Sequence, residues 1–172
     1  MKAALPVIAL LATGLSLAGC AGQKTTGAAA TEHHQGVVRR GDKVMGFSHL
    51  KATHHFRLFT DGGEIEVLAN DPHDTTTRQQ IRTHLAQIAR MFAAGNFEDP
   101  MLIHAVTPPG VPTMKKLRAR IHWHFEPAAR GGRVEITTKN PQALRAVHEF
   151  LRFQIRDHQT GDSTRVTKRK QN

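Results

Sequence analysis

Two stretches of the chain run through the same order of residue types, and that duplication limits the folds open to it more than any other feature. His55-Phe56 lies seven residues before Gly62-Gly63, and His124-Phe125 lies seven before Gly131-Gly132. Glu64-Ile65-Glu66-Val67 corresponds to Arg133-Val134-Glu135-Ile136, and Asp71-Pro72 to Asn140-Pro141. Ile81-Arg82-Thr83-His84-Leu85 corresponds in turn to Leu144-Arg145-Ala146-Val147-His148. Residues 53–60 and 64–69 alternate as half-buried strands do, around a turn at Asp61-Gly62-Gly63. From Thr75 to Ala94 the period changes, with Ile81, Leu85, Ile88 and Phe92 on one helical stripe that Gly95-Asn96 closes. The order strand, Gly-Gly turn, strand, Pro and helix, used twice, predicts an α+β fold. Its two ββα repeats form a four-stranded antiparallel sheet covered on one face by two helices, with the other face wet. The link between repeats carries Pro100, His104, Pro108-Pro109-Gly110 and Pro112, and a short helix is expected near Thr113 to Leu117.

The N-terminus carries a different signal. Lys2 is followed by an apolar run from Ala3 to Leu17, which is too short to span a bilayer but has the length of a signal-peptide core. It ends in Leu17-Ala18-Gly19-Cys20, which resembles the lipobox of bacterial lipoproteins. The resemblance implies cleavage before Cys20 and acylation of the new N-terminus, the thiol taking diacylglycerol and the amine a fatty acid such as palmitate. Several acyl chains together hold a protein firmly on its membrane. Ala21 rather than Asp follows the cysteine, which by the same resemblance favours the outer membrane, facing the periplasm. The expected layout is a signal peptide at 1–19, a flexible tether at 20–44, a domain at 45–160 and a basic disordered tail at 161–172.

Composition narrows the chemistry. Cys20 is the only cysteine, so the oxidising envelope provides no internal disulfide. Lysine and arginine number 24 against 14 acids, a formal net charge of +10. In a cytosolic protein that excess points to nucleic acid, but export removes that partner and leaves anionic lipid or wall polymer. The 12 histidines raise the question of metal in an envelope protein.

Strand parity and helical stripes sort these histidines. His54 shares the parity of Phe56 and points into the covered face, whereas His55, His122 and His124 fall on the outer face beside Glu66 and Glu135. His84 lies in the stripe of the first helix and His148 in that of the second, with His158 continuing the latter one turn beyond Ile155. His54, His84 and His148 are therefore expected in one interior layer, with His104 and Met45 in reach. Buried imidazoles need partners, and a transition metal satisfies several at once. Imidazole suits copper or zinc, and a thioether tilts the choice to copper(I). Taken singly, each histidine is better explained by a bond to a backbone carbonyl; it is the set together that points to metal. The outer histidines, next to carboxylates and water, need no special role, and His33-His34 in the tether would scavenge metal only weakly.

Residues 39–158 also resemble an uncharacterised bacterial family whose members are sometimes named aspartate carbamoyltransferase. The motifs are Arg39-Arg40-Gly41, Val44-Met45-Gly46-Phe47, Thr53-His54 with Phe56, Ile81-Arg82 with His84-Leu85, and Ile103-His104. Pro109-Gly110, Leu144, His148 and Asp157-His158 complete them. True carbamoyltransferases are longer, with two doubly wound domains and a Ser-Thr-Arg-Thr phosphate loop that nothing here matches. The resemblance therefore brings no catalytic residues. Three functions follow from the residues: a non-enzymatic envelope lipoprotein that binds metal, a hydrolase or lyase using His104 as general base, and a structural lipoprotein whose basic surface meets lipid or wall polymer.

Overall fold

The computed structural model describes residues 22–169, with side chains from residue 27 onward. The signal peptide and Cys20 lie outside the described residues. The fold is α+β. Hairpin β1 (Ala52–Phe59) and β2 (Gly62–Ala69) pairs from Ala52↔Ala69 to Phe59↔Gly62. Hairpin β3 (His122–Ala128) and β4 (Gly131–Thr137) repeats it, from His122↔Thr137 to Ala128↔Gly131. The hairpins join through their second strands, also antiparallel, and Ile65 pairs with Val134, its own counterpart in the repeat. The expected antiparallel four thus adjoin, but the sheet has five strands in the order β3-β4-β2-β1-β5.

The glycine pairs do not make the turns, which fall at Thr60-Asp61 and Ala129-Arg130. They open the two central strands, where the backbones come close. A Cβ on Gly62 would run into the carbonyl of Ile136, and one on Gly131 into that of Val67. Phe56, Leu58, Ile65, Val67, Val134 and Ile136 then bury one sheet face under helices α2 (Thr75–Ala93) and α5 (Pro141–Asp157). Each helix crosses to the other repeat: α2 packs mainly on β3 and β4, and α5 on β1 and β2. Asn140 caps α5 by accepting from the Gln142 and Ala143 N–H groups at 3.0 and 2.9 Å, with Pro141 in the first turn, where its missing N–H costs nothing.

Among the described residues there are three further α-helices beyond the two expected over the sheet. The segment 20–44, expected as a flexible tether, is helical over its described residues, as helix α1 (Gly22–Met45). Residues 27–33 are exposed, but Val37 and Met45 are buried near its end. Arg40 Nε donates to the Ile103 carbonyl at 2.7 Å, fixing α1 on helix α3 (Glu98–His104). Pro100 is tolerated in α3 because it sits in the first turn. Helix α4 (Val111–Lys116) is the short helix expected near residue 113. Phe92, Phe97, Phe150 and Trp123 form one aromatic cluster, with Phe92 and Phe97 stacked at 4.5 Å and Trp123 and Phe150 edge-on. It ties α2, the start of α3, β3 and α5 together.

The tail is the second correction. Up to Arg169 it is folded, strapping the β1 edge through β5 (Val166–Thr167), which runs parallel to Leu58–Phe59. The Asp162 carboxylate accepts from the Phe56 N–H at 2.9 Å and meets His55 Nδ1 at 3.0 Å. Arg169 lies 4.4 Å over the Phe59 ring and bonds Asp61 at 3.2 Å. No helix among the described residues is long and apolar enough to cross a membrane.

Candidate functional site

Between the sheet and the crossed helices lies a cavity of about 50 Å³. Phe56, Ile65 and Val67 form its floor, and Leu85, Ile88, Phe92 and Phe150 its apolar walls. Its polar lining is Met45, His54, His84, Asp99, His104, Gln154 and His158. Four of the five expected metal ligands therefore meet here, and the fifth, His148, does not.

His54 arrives by strand parity. Its ring stacks at 5.6 Å and 7° on His158 and at 6.0 Å on Phe47. His84 arrives from the α2 stripe and meets the same Phe47 edge-on at 5.9 Å. Met45 ends α1 at the same place, buried. His54 is pulled down to about 4, first by burial and then by His84 and His55, with Asp42 opposing. Burial alone pulls His84 down to about 4. His158 is held well below the ordinary imidazole range by burial, then by His54, His104 and His34. Burial and Glu98 raise the Asp99 carboxyl. Apart from that carboxyl, the cavity wall near Met45 is a set of neutral imidazoles, and no hydrogen bond within the described residues engages the rings of His54, His84 or His158.

His104 is different. It closes α3, is only 1% exposed, and has both ring nitrogens engaged, Nδ1 with Asp157 and Nε2 with Gln154 Oε1 at 3.0 Å. Asp157 also meets His33 Nε2 at 2.8 Å, so it joins α1 and α3 to the end of α5. Gln154 is 4% exposed, and its Nε2 is buried without a partner among the described residues.

His148 lies at the other end of α5. Its Nε2 donates to the carbonyls of Phe59 and Gly62, at 2.9 and 3.0 Å, across the β1–β2 turn. That is a structural bond, not a ligand position. Ten residues of helix separate His148 from His158, roughly 15 Å along the axis. The five residues of β1 between His54 and Phe59 cover roughly 17 Å in the same sense. His158 is thus the α5 imidazole that reaches His54. The outer-face histidines form no centre: His122 and His124 are exposed, and His55 pairs with Asp162.

Among the described residues, no three side chains drawn from His, Cys, Asp and Glu form a metal-holding group. A site here would have to use the Met45 sulfur. No family model, curated protein or solved structure matches the chain. The cavity offers neutral nitrogen donors, one thioether and little room. Such a set suits a soft cation more than a charged or bulky molecule.

Sequence reasoning missed His158 and Gln154 as lining residues. His158 carried a usable signal, since it continues the α5 stripe past Ile155. Gln154 carried one too, since it follows Phe150 by four residues and Leu151 by three on the same helical face.

Proposed function

We propose that the chain is a lipid-anchored protein of the bacterial envelope, held by acyl groups on Cys20 at the outer membrane, that binds one copper(I) ion through His54, His84 and Met45. His158 borders the site from α5, and the His104–Asp157 pair braces α3 behind it. One observation carries the reading: a strand and a helix direct neutral imidazoles, with no hydrogen-bond partner among the described residues, into the same small cavity as a buried thioether. Metal ligation needs deprotonated imidazole, and groups that titrate at about 4 present it at neutral pH without releasing protons. Two nitrogens and a thioether satisfy copper(I), which accepts low coordination. Zinc in a structural site takes four ligands of the Cys, His and carboxylate kind, so the thioether speaks for copper.

Anaerobic titration against a chromophoric copper(I) chelator tests this. The expected result is one ion per chain, with affinity falling at least tenfold in His54→Ala, His84→Ala and Met45→Leu and unchanged in His122→Ala. Uptake that is substoichiometric, or indifferent to all three, contradicts it. The anchor has its own test. Mass spectrometry of membrane-extracted protein should show a chain that starts at residue 20 and carries acyl groups, and Cys20→Ala should leave the chain uncleaved. The hydrolase reading gains no support, because a general base needs a free nitrogen facing substrate and both of His104's are taken. The exposed run Lys115, Lys116, Arg118 and Arg120 is compatible with contact to anionic lipid or wall polymer alongside copper binding.

A further inference from the structure

Two surface grooves abut the cavity, and each shares wall residues with it. The first, about 300 Å³, runs between α1, the start of β1 and the end of α5. It shares Met45, His54 and His158 with the cavity and carries two more imidazoles, His34 and His49, along its length. The second, about 260 Å³, shares Met45 and His84 with the cavity. Its remaining polar side chains are Gln79, Gln80, Thr83 and Gln87, which are hard oxygen and amide donors. For a soft cation the two grooves are not equivalent.

His49 is also oriented. Its Nδ1 lies 3.1 Å from both oxygens of Asp42, and its backbone N–H donates to the same carboxylate at 2.7 Å. A carboxylate on Nδ1 fixes the proton there and leaves the Nε2 lone pair free, which is how second partners orient and strengthen ligating histidines in metal proteins. The His49 side chain is 39% exposed, so the free nitrogen is reachable from solvent. His34 stands on the α1 side, with Nδ1 3.4 Å from the Asp157 carbonyl, and is near enough to His158 to influence it. His49 and Asp42 stand in the same relation to His54.

Resting on the copper reading above, we propose that the His34–His49 groove is the loading site for the ion: copper(I) is captured there first and passes by ligand exchange through Met45, His54 and His158 into the cavity. The passage changes no oxidation state, because copper(I) only exchanges one imidazole or thioether lone pair for another. Such a step sets rates and leaves the final equilibrium alone. Loading and release therefore slow together.

Stopped-flow transfer of copper(I) from its bicinchoninate complex tests the idea on the full chain. The His34→Ala/His49→Ala double variant should load at least tenfold more slowly, with one ion per chain and unchanged affinity at equilibrium. Asp42→Asn, which keeps both imidazoles but frees the His49 ring, should slow loading severalfold. Gln80→Leu in the other groove should load at the parental rate. Circular dichroism of each variant confirms the fold, and Asp42→Asn carries the test should the double variant not fold. The proposal is overturned if a folded double variant, or Asp42→Asn in its place, loads at the parental rate, or if Gln80→Leu is the slow one. If the parent chain takes up no copper(I), the cavity reading itself fails and the loading site with it. Uptake with unaltered kinetics in the groove variants sinks the loading site alone.

Discussion

At the scale of single residues, histidines of similar sequence context serve opposite ends. His148 shares one N–H between the Phe59 and Gly62 carbonyls, and so pins α5 to the hairpin. Removing it deletes both bonds, at a cost of about 1–3 kcal/mol. His148→Ala should therefore show that loss in urea denaturation while its copper stoichiometry stays at the parental value; a fall in stoichiometry would return His148 to the site. His54 and His84 behave otherwise. Their folded-state values of about 4 lie below the ordinary imidazole value of 6.5, so the folded protein resists protons that the unfolded chain accepts. Their stabilising contribution is complete above pH 6.5 and is lost as pH falls toward 4. Thermal melts of the metal-free chain should show Tm falling through that window, and His54→Ala/His84→Ala should flatten the fall. A Tm equally pH-dependent in the double variant would place the titration elsewhere.

Among the secondary-structure elements, the central glycines offer the sharpest test. Because a Cβ at Gly131 meets the Val67 carbonyl, Gly131→Ala must push the central strands apart. Overpacking of that kind costs about 1–3 kcal/mol, which chemical denaturation should register. If the glycine served only a flexible turn, the substitution would be near neutral. Both hairpins, the repeat and the stripes of α2 and α5 were legible in the residues, because alternation and the 3.6-residue period are local properties. Which residues faced inward was legible for the same reason, and His54 and His84 were found that way. Where each helix docks along the sheet was not. The residue count gives a height along the helix but not which strand residue lies opposite, and His148 and His158 share the α5 stripe while sitting at opposite ends of the sheet. Helix α1 was hidden because its apolar residues crowd one end, and the strap because two strand residues held by Asp162 and Arg169 leave no periodic trace.

At the scale of the whole molecule, the crossing of the helices matters most. Since α2 covers the second hairpin and α5 the first, the two repeats share one interior, and the cavity lies at their junction. Its lining comes from α1, β1, β2, α2, α3 and α5, so six elements must dock before the donors converge. On the copper proposal, ion binding and folding are linked, and copper(I) at one hundred times its dissociation constant should stabilise the chain by about 2.7 kcal/mol. X-ray absorption at the copper edge addresses the central claim most directly. The account predicts two imidazole nitrogens and one sulfur around copper(I), with the sulfur lost in Met45→Leu. A shell of nitrogen and oxygen alone in the parent protein, or no retained copper, would contradict it.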